Sequence, residues 1–134
     1  MYRELTTLFT GRKLISMEET ASTNRYMAEL SREDAVPEGT VVMVKYQTTG
    51  QGLGGTSWHS EAGSNLLMSV LFRPDFLPIQ KIYLISKAIA LAIKDFLNAQ
   101  GISAKIKWPN DIYVDDSKIC GVLIENSLRG NLVL

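Results

Sequence analysis

The sequence predicts an α+β protein: a mixed β-sheet backed by helices. Two observations carry that expectation. Thr40–Tyr46 and Asn65–Phe72 are strand-length apolar runs rich in strand-forming residues, and Ile102–Lys107 alternates apolar and polar with period two, as a half-buried strand requires. Residues 79–100 instead repeat their apolar positions at helical spacing. Strand runs and helical runs do not alternate regularly, so the pattern gives the class and no topology.

From its start, Lys13–Glu19 reads as a short strand running into Thr20-Ala21-Ser22-Thr23-Asn24. Short polar side chains at such a point cap a helix by accepting from its first free N–H groups. Tyr26, Met27 and Leu30 then give one apolar face of a helix that ends before Pro37. Thr40–Tyr46 follows as a strand, with Val42, Val44 and Tyr46 opposite Val41 and Met43. The segment from Gln47 to Trp58 has four glycines within residues 50–55, a composition that disfavours both strand and helix. It reads either as a flexible hairpin loop or as a backbone cradle for an anion. It lacks the Gly-Lys-Ser/Thr ending of a Walker loop and the spacing of a dinucleotide fingerprint. His59, the only histidine, has no second metal ligand nearby and is expected to be an exposed loop residue.

Asn65–Phe72 is a strand expected to pair with Thr40–Tyr46. Pro74 and Pro78 precede the helix over 79–100, whose broad buried face combines Ile82, Ile85, Ile89 and Ile93 with Leu84, Ala88, Ala92 and Phe96. Gly101 supplies its stop. Pro109 cannot donate to a central ladder, so the run from Ile102 ends at Trp108. Asn110 and Asp111 favour a turn, Ile112–Val114 resumes a strand, and Asp115-Asp116-Ser117 turns it. Ile119–Ile124 is expected to return as a buried apolar strand, with Cys120 a small hydrophobe inside it. Arg129-Gly130-Asn131 suggests a turn into a last strand at Leu132. This order gathers Lys107, Asp111 and Lys118 near one hairpin end, where two ammonium groups beside a carboxylate and an amide suit phosphate and a metal. On spacing alone the same charges also read as a solvated hairpin end.

Composition limits the rest. A chain of 134 residues is one domain with one core. Lys plus Arg and Asp plus Glu both number 14, which argues against bulk attraction to nucleic acid or membrane. The single cysteine excludes an intramolecular disulfide. No leader and no membrane-length apolar run is visible, so a soluble cytoplasmic protein is expected.

The contiguous block Lys107-Trp108-Pro109-Asn110-Asp111, then Lys118-x-x-Gly121 and the aliphatic run Val122–Glu125, resembles the biotin protein ligase family very closely. Ser22, Thr23 and Asn24 stand where that family begins its biotin pocket. Gln47, Gly50, Gly52 and Trp58 match its glycine-rich loop. Gln51 and Leu53 depart from it, standing where the family normally has Arg and then Arg or Gln, side chains that help hold the adenylate. The resemblance covers residues 13–134. It implies a catalytic fold related to class II aminoacyl-tRNA synthetases, with residues 1–134 as the N-terminal portion of the catalytic domain. A DNA-binding winged helix and a C-terminal β-domain are not expected, and hence no DNA partner.

The resemblance also implies the chemistry: biotin and ATP, with Mg²⁺, give biotinyl-5′-AMP, and a lysine of the biotin carboxyl carrier domain of a carboxylase takes the biotinyl group. Lys118 would meet the biotin carboxylate and phosphoryl charge, Lys107 the phosphates, and Asp111 the Mg²⁺ or ribose. Asn110 and Gly121 would line the adenylate, and a homodimer is left open. Two alternatives stand beside it. One is a lipoate ligase or octanoyltransferase of the same fold, against which the Lys107–Asp111 block argues. The other is a truncated, non-catalytic fragment that binds biotin.

Overall fold

Strand β1 (Leu14–Thr20) runs parallel to β2 (Val41–Gln47), with Leu14 beside Val41 and Thr20 beside Gln47. A parallel pair needs a crossover, and helix α1 (Thr23–Leu30) lies within it. After β2, β3 (Gly50–Gln51) and β4 (Ser57–Trp58) make a small antiparallel hairpin of their own. Strand β5 (Leu67–Phe72) returns to pair with β2, as expected, and the pairing is antiparallel. With the strands numbered along the chain, β9 (Glu125–Asn126) and β10 (Leu132–Val133) complete a mixed sheet in the order β1-β2-β5-β10-β9. The structure, a computed structural model, describes residues 7–33, 35–127 and 132–133. The turn expected at Arg129–Asn131 lies outside the described residues.

The chain divides into two units, residues 1–74 with 125–134, and residues 75–124. In the first unit, α1 lays Met27 onto the sheet, where it packs with Val36, Val42 and Leu71. Met27, Val42 and Leu71 are fully buried, and Ile15, Met17, Tyr26 and Leu30 close around them. The apolar spacing read from Tyr26, Met27 and Leu30 thus serves its expected purpose. In the second unit, β6 (Ala104–Lys107), β7 (Asp111–Val114) and β8 (Ser117–Gly121) form an antiparallel meander. A cis Trp108–Pro109 bond sits in the first connection, and Asp115 takes a left-handed φ of 51° in the second. Helix α2 (Tyr83–Ala99), after a short 3₁₀ turn at Ile79–Lys81, packs on this sheet through Ala90, Ile93 and Leu97 against Ala104, Ile106, Ile112 and Val114.

Three expectations need correction. The described residues have two hydrophobic clusters, one in each unit, where a single core was expected. The buried face of α2 is a narrow stripe, with Ala90 its only buried residue; Leu84, Ala88, Ala92 and Phe96 are exposed, Phe96 at 65%. A three-stranded sheet covers one stripe of a helix, and apolar spacing reports only what could be covered. The strand expected at Ile119–Ile124 runs instead from Ser117 to Gly121, with Ile119 48% exposed. Among the described residues no helix is long and apolar enough to cross a membrane.

Leu71 joins α1 to the sheet with no exposed surface. Leu71→Ala should lower unfolding free energy by about 2–5 kcal/mol, because the lost transfer energy is joined by a cavity that cannot fully collapse. Urea unfolding of the two proteins measures it.

Candidate functional site

The junction of β1 and α1 carries a buried polar cluster. Ser22 is the extended N-cap residue, φ −157° and ψ 133°, and its Oγ accepts a long bond of 3.4 Å from the Arg25 N–H. Thr23 and Asn24 turn their side chains toward the sheet. The Thr23 N–H donates to Gln47 Oε1 at 2.7 Å, and Thr23 Oγ1 lies 3.0 Å from the same oxygen. Ser69 Oγ lies 2.8 Å from Thr23 Oγ1 and also bonds Asn24 Oδ1. The Asn24 amide donates to Glu125 Oε2 at 2.9 Å. Ser22, Thr23, Asn24 and Ser69 are all buried.

The parallel register explains the meeting. Thr20 at the end of β1 stands beside Gln47 at the end of β2. The Thr48 and Thr49 N–H groups extend that pairing to the carbonyls of Thr20 and Ala21 at 3.0 and 2.9 Å. The chain leaving β1 must therefore pass the Gln47 side chain as α1 begins. Thr23, Asn24 and Gln47 are thus brought together, with Ser22 next to them in the chain. Ser69 is a member that motif reading missed. Its signal was present: Leu67, Ser69 and Leu71 share one phase of β5 and are all buried, so a hydroxyl occupied a core position.

The glycine-rich segment folds more regularly than its composition suggests. Gly50 pairs with Trp58 and Gln51 with Ser57, and the tip turns through Gly54 and Gly55 at φ 67° and 79°. Those left-handed positions are open to glycine without a Cβ penalty. Gly50 is needed for another reason: a Cβ there would lie 2.7 Å from the Trp58 carbonyl oxygen and 3.0 Å from Gln47 Nε2. The hairpin thereby presses on the amide that receives Thr23. Gly52 closes the tip, its N–H donating to the Thr56 carbonyl at 2.7 Å. Thr48, Gln51, Gly55, Thr56 and His59 border an open hollow of ≈ 300 Å³. The Gln51 and Leu53 side chains are exposed, Trp58 is half-buried, and His59 is exposed as expected.

The second unit holds the charged group. Lys118 Nζ lies 2.7 Å from Asp111 Oδ1, with side chains 33% and 20% exposed. A bulge produces this contact. Asp111 pairs with Gly121, Ile112 with Cys120, but Tyr113 with Lys118, which leaves Ile119 as an extra residue in β8. Strict alternation would put Lys118 on the same side as Cys120, toward Ile112 and the apolar cluster. The extra residue reverses the phase and sends Lys118 to the Asp111 and Tyr113 side. Lys107 behaves otherwise. It pairs with Asp111 across β6 and β7, yet its ammonium lies 5.3 Å from the centre of the Tyr113 ring. Asn110 is half-buried and its carbonyl accepts from the Val122 N–H at 2.9 Å. Cys120 is half-buried against the cluster of Ala90, Ala104 and Ile112. Burial pushes its thiol pKa up, Lys118 pulls it down, and Asp111 adds to the rise.

Asp111 also bears on the metal expectation. Among the described residues no three His, Cys, Asp or Glu side chains converge to hold an ion. Oδ1 of Asp111 is buried, finds no well-directed hydrogen bond, and has its charge met by Lys118. One carboxylate already paired with an ammonium does not fit a resident divalent cation. Hard cations take several oxygen ligands, which only substrate phosphates and water could complete here.

The chain belongs to the biotin/lipoate A/B protein ligase family, whose sequence model matches residues 16–134. The bifunctional ligase/repressor BirA of Bacillus spizizenii is 39% identical over 116 residues, which span 86% of this chain and 35% of that protein. The biotin–[acetyl-CoA-carboxylase] ligase of Mycobacterium tuberculosis is 30% identical over 118 residues, 85% of this chain and 44% of the relative. The solved structure of biotin protein ligase from Aquifex aeolicus in complex with biotin and ATP aligns with a TM-score of 0.75 at 29% identity, covering 91% of this chain and 50% of that one. The chain therefore spans half or less of the length of these relatives.

Gly50→Ala is expected to destabilise the protein by about 1–3 kcal/mol, because the new methyl meets a backbone carbonyl that pairing holds in place. Urea unfolding checks this. The same substitution at Gly54, where nothing lies within 4 Å but φ is 67°, tests strain alone.

Proposed function

We propose that this chain supplies biotin-binding and phosphoryl-binding residues of a biotin protein ligase. The carrying observation is the polar cluster of Thr23, Asn24 and Gln47, backed by the buried Ser69 and set where the family resemblance puts the biotin pocket. A cyclic ureide has two N–H donors and one carbonyl acceptor, and short hydroxyl and amide groups match it. A dithiolane or an alkyl chain has no use for them, which favours biotin over lipoate or octanoate.

In the proposed reaction, a biotin carboxylate oxygen attacks the α-phosphorus of ATP. The α–β anhydride bond breaks, and pyrophosphate leaves. A neutral lysine amine of the carboxyl carrier domain then attacks the acyl carbon of biotinyl-5′-AMP, forming an amide, releasing AMP and giving up its proton to solvent. No enzyme nucleophile is required, so the chain's residues act by positioning and by charge. Lys118 neutralises carboxylate and phosphoryl charge. Asp111 orients Lys118 through the 2.7 Å contact. Lys107 and Asn110 serve the nucleotide side, with Gly121 beside them. Gly50, Gly52 and Trp58 shape the loop, whose Gln51 and Leu53 bring no charge to the adenylate. Mg²⁺ enters this reading only as the counter-ion of ATP. The proposed setting is the cytoplasm.

Biotin should raise the melting temperature of the protein in a thermal-shift titration, and lipoate should not. The reverse pattern would move the assignment to lipoate chemistry. Biotin-dependent ATP–pyrophosphate exchange tests the first step. Lys118→Ala should slow it roughly 10²–10³-fold, the usual loss for a charge-stabilising donor at a reacting centre. An unchanged rate would make Lys118 a hairpin surface charge. Biotin binding without exchange would mean a binding fragment with no turnover.

A further inference from the structure

Ser69 has no exposed surface and so cannot touch a bound ligand. It stands at the centre of a row of four oxygens: Gln47 Oε1, Thr23 Oγ1, Ser69 Oγ and Asn24 Oδ1. Both ends of the row are fixed as acceptors. The Thr23 backbone N–H donates to Gln47 Oε1, so that oxygen cannot exchange places with its amide nitrogen. The Asn24 amide nitrogen donates to the Glu125 carboxylate, which holds the Asn24 oxygen toward Ser69.

The row thus has three oxygen–oxygen contacts and two hydroxyl hydrogens to serve them. It is one hydrogen short, with lone pairs to spare. When the single Ser69 hydrogen goes to Thr23, the Thr23 hydroxyl must donate to Gln47; when it goes to Asn24, the Thr23 hydroxyl donates to Gln47 or back to Ser69. In a buried setting such direction is costly to change, because each unpaired polar atom carries its full desolvation penalty.

We propose that Ser69 is a positioning residue: from inside the sheet it bridges Thr23 Oγ1 and Asn24 Oδ1, holds both side chains in place, and so presets their groups for a donor-bearing cyclic ureide. This rests on the ligase reading above, and deepens it. Ser69 occupies an inward phase of β5 that packing alone would fill with an aliphatic side chain, since Leu67 and Leu71 flank it in that phase. A hydroxyl there serves Thr23 and Asn24.

The test is calorimetric titration of biotin into the full chain and into Ser69→Ala and Ser69→Cys. Cysteine fills the space of serine but is a weak donor and acceptor, so it separates volume from hydrogen bonding. The expected result is a Kd raised about tenfold or more in both variants, the worth of one buried hydrogen bond and its stranded partner. A Kd near the original in Ser69→Cys would show that Ser69 only fills space, and would overturn the inference while leaving the ligase reading intact. If Ser69→Ala fails to fold, the cysteine variant decides. Absence of biotin binding by the unsubstituted chain would overturn the ligase reading itself, and this inference with it.

Discussion

The contact between Gln47 and Thr23 is the constraint on which the first unit turns. One amide oxygen receives the backbone N–H of Thr23 at 2.7 Å and lies 3.0 Å from the Thr23 hydroxyl oxygen. It ties the last residue of β2 to the first turn of α1. The parallel pairing of β1 and β2 makes the contact possible, and Gly50 keeps the glycine hairpin close against the same amide. Movement of the hairpin would be felt at the helix start through a single side chain. The helix in turn seats Met27 in the core, so recognition groups and packing share one short segment.

Much of this was legible in the sequence, for specific reasons. The apolar runs of β2 and β5 have strand length and composition, and the two strands do pair. Ser22 read correctly as a cap because capping is local chemistry between neighbours. Ser69 did not stand out, because one serine in an apolar strand costs a pattern nothing and its partners lie 45 and 46 residues away. The face of α2 was read too broadly because periodicity shows which residues are apolar, while burial depends on the area offered opposite. The glycine segment reads as a flexible hairpin loop or an anion cradle because composition gives the entropy cost of order and not the pairing that offsets it.

The charged hairpin shows a different limit. The proximity of Asp111 and Lys118 was anticipated from the order of strands and turns. The departure of Lys107 to the Tyr113 ring was not, since both arrangements satisfy the same spacing. A partly buried lysine–aspartate pair contributes little net stability once desolvation is counted. Its value lies in holding an ammonium in one place before a negatively charged substrate arrives. An ammonium already oriented need not be ordered during the reaction.

The bulge at Ile119 makes that orientation a matter of parity. Counting along β8 from Cys120, the ammonium of Lys118 falls on the Asp111 side only because one residue between them is left out of the ladder. Loss of residue 119 would regularise the strand and leave the lysine where it is. A one-step slip of the strand toward regular pairing, with every residue retained, would carry the lysine to the apolar side. The chemistry of this hairpin is therefore less exposed to a shortened gene than to a sliding error while the chain folds.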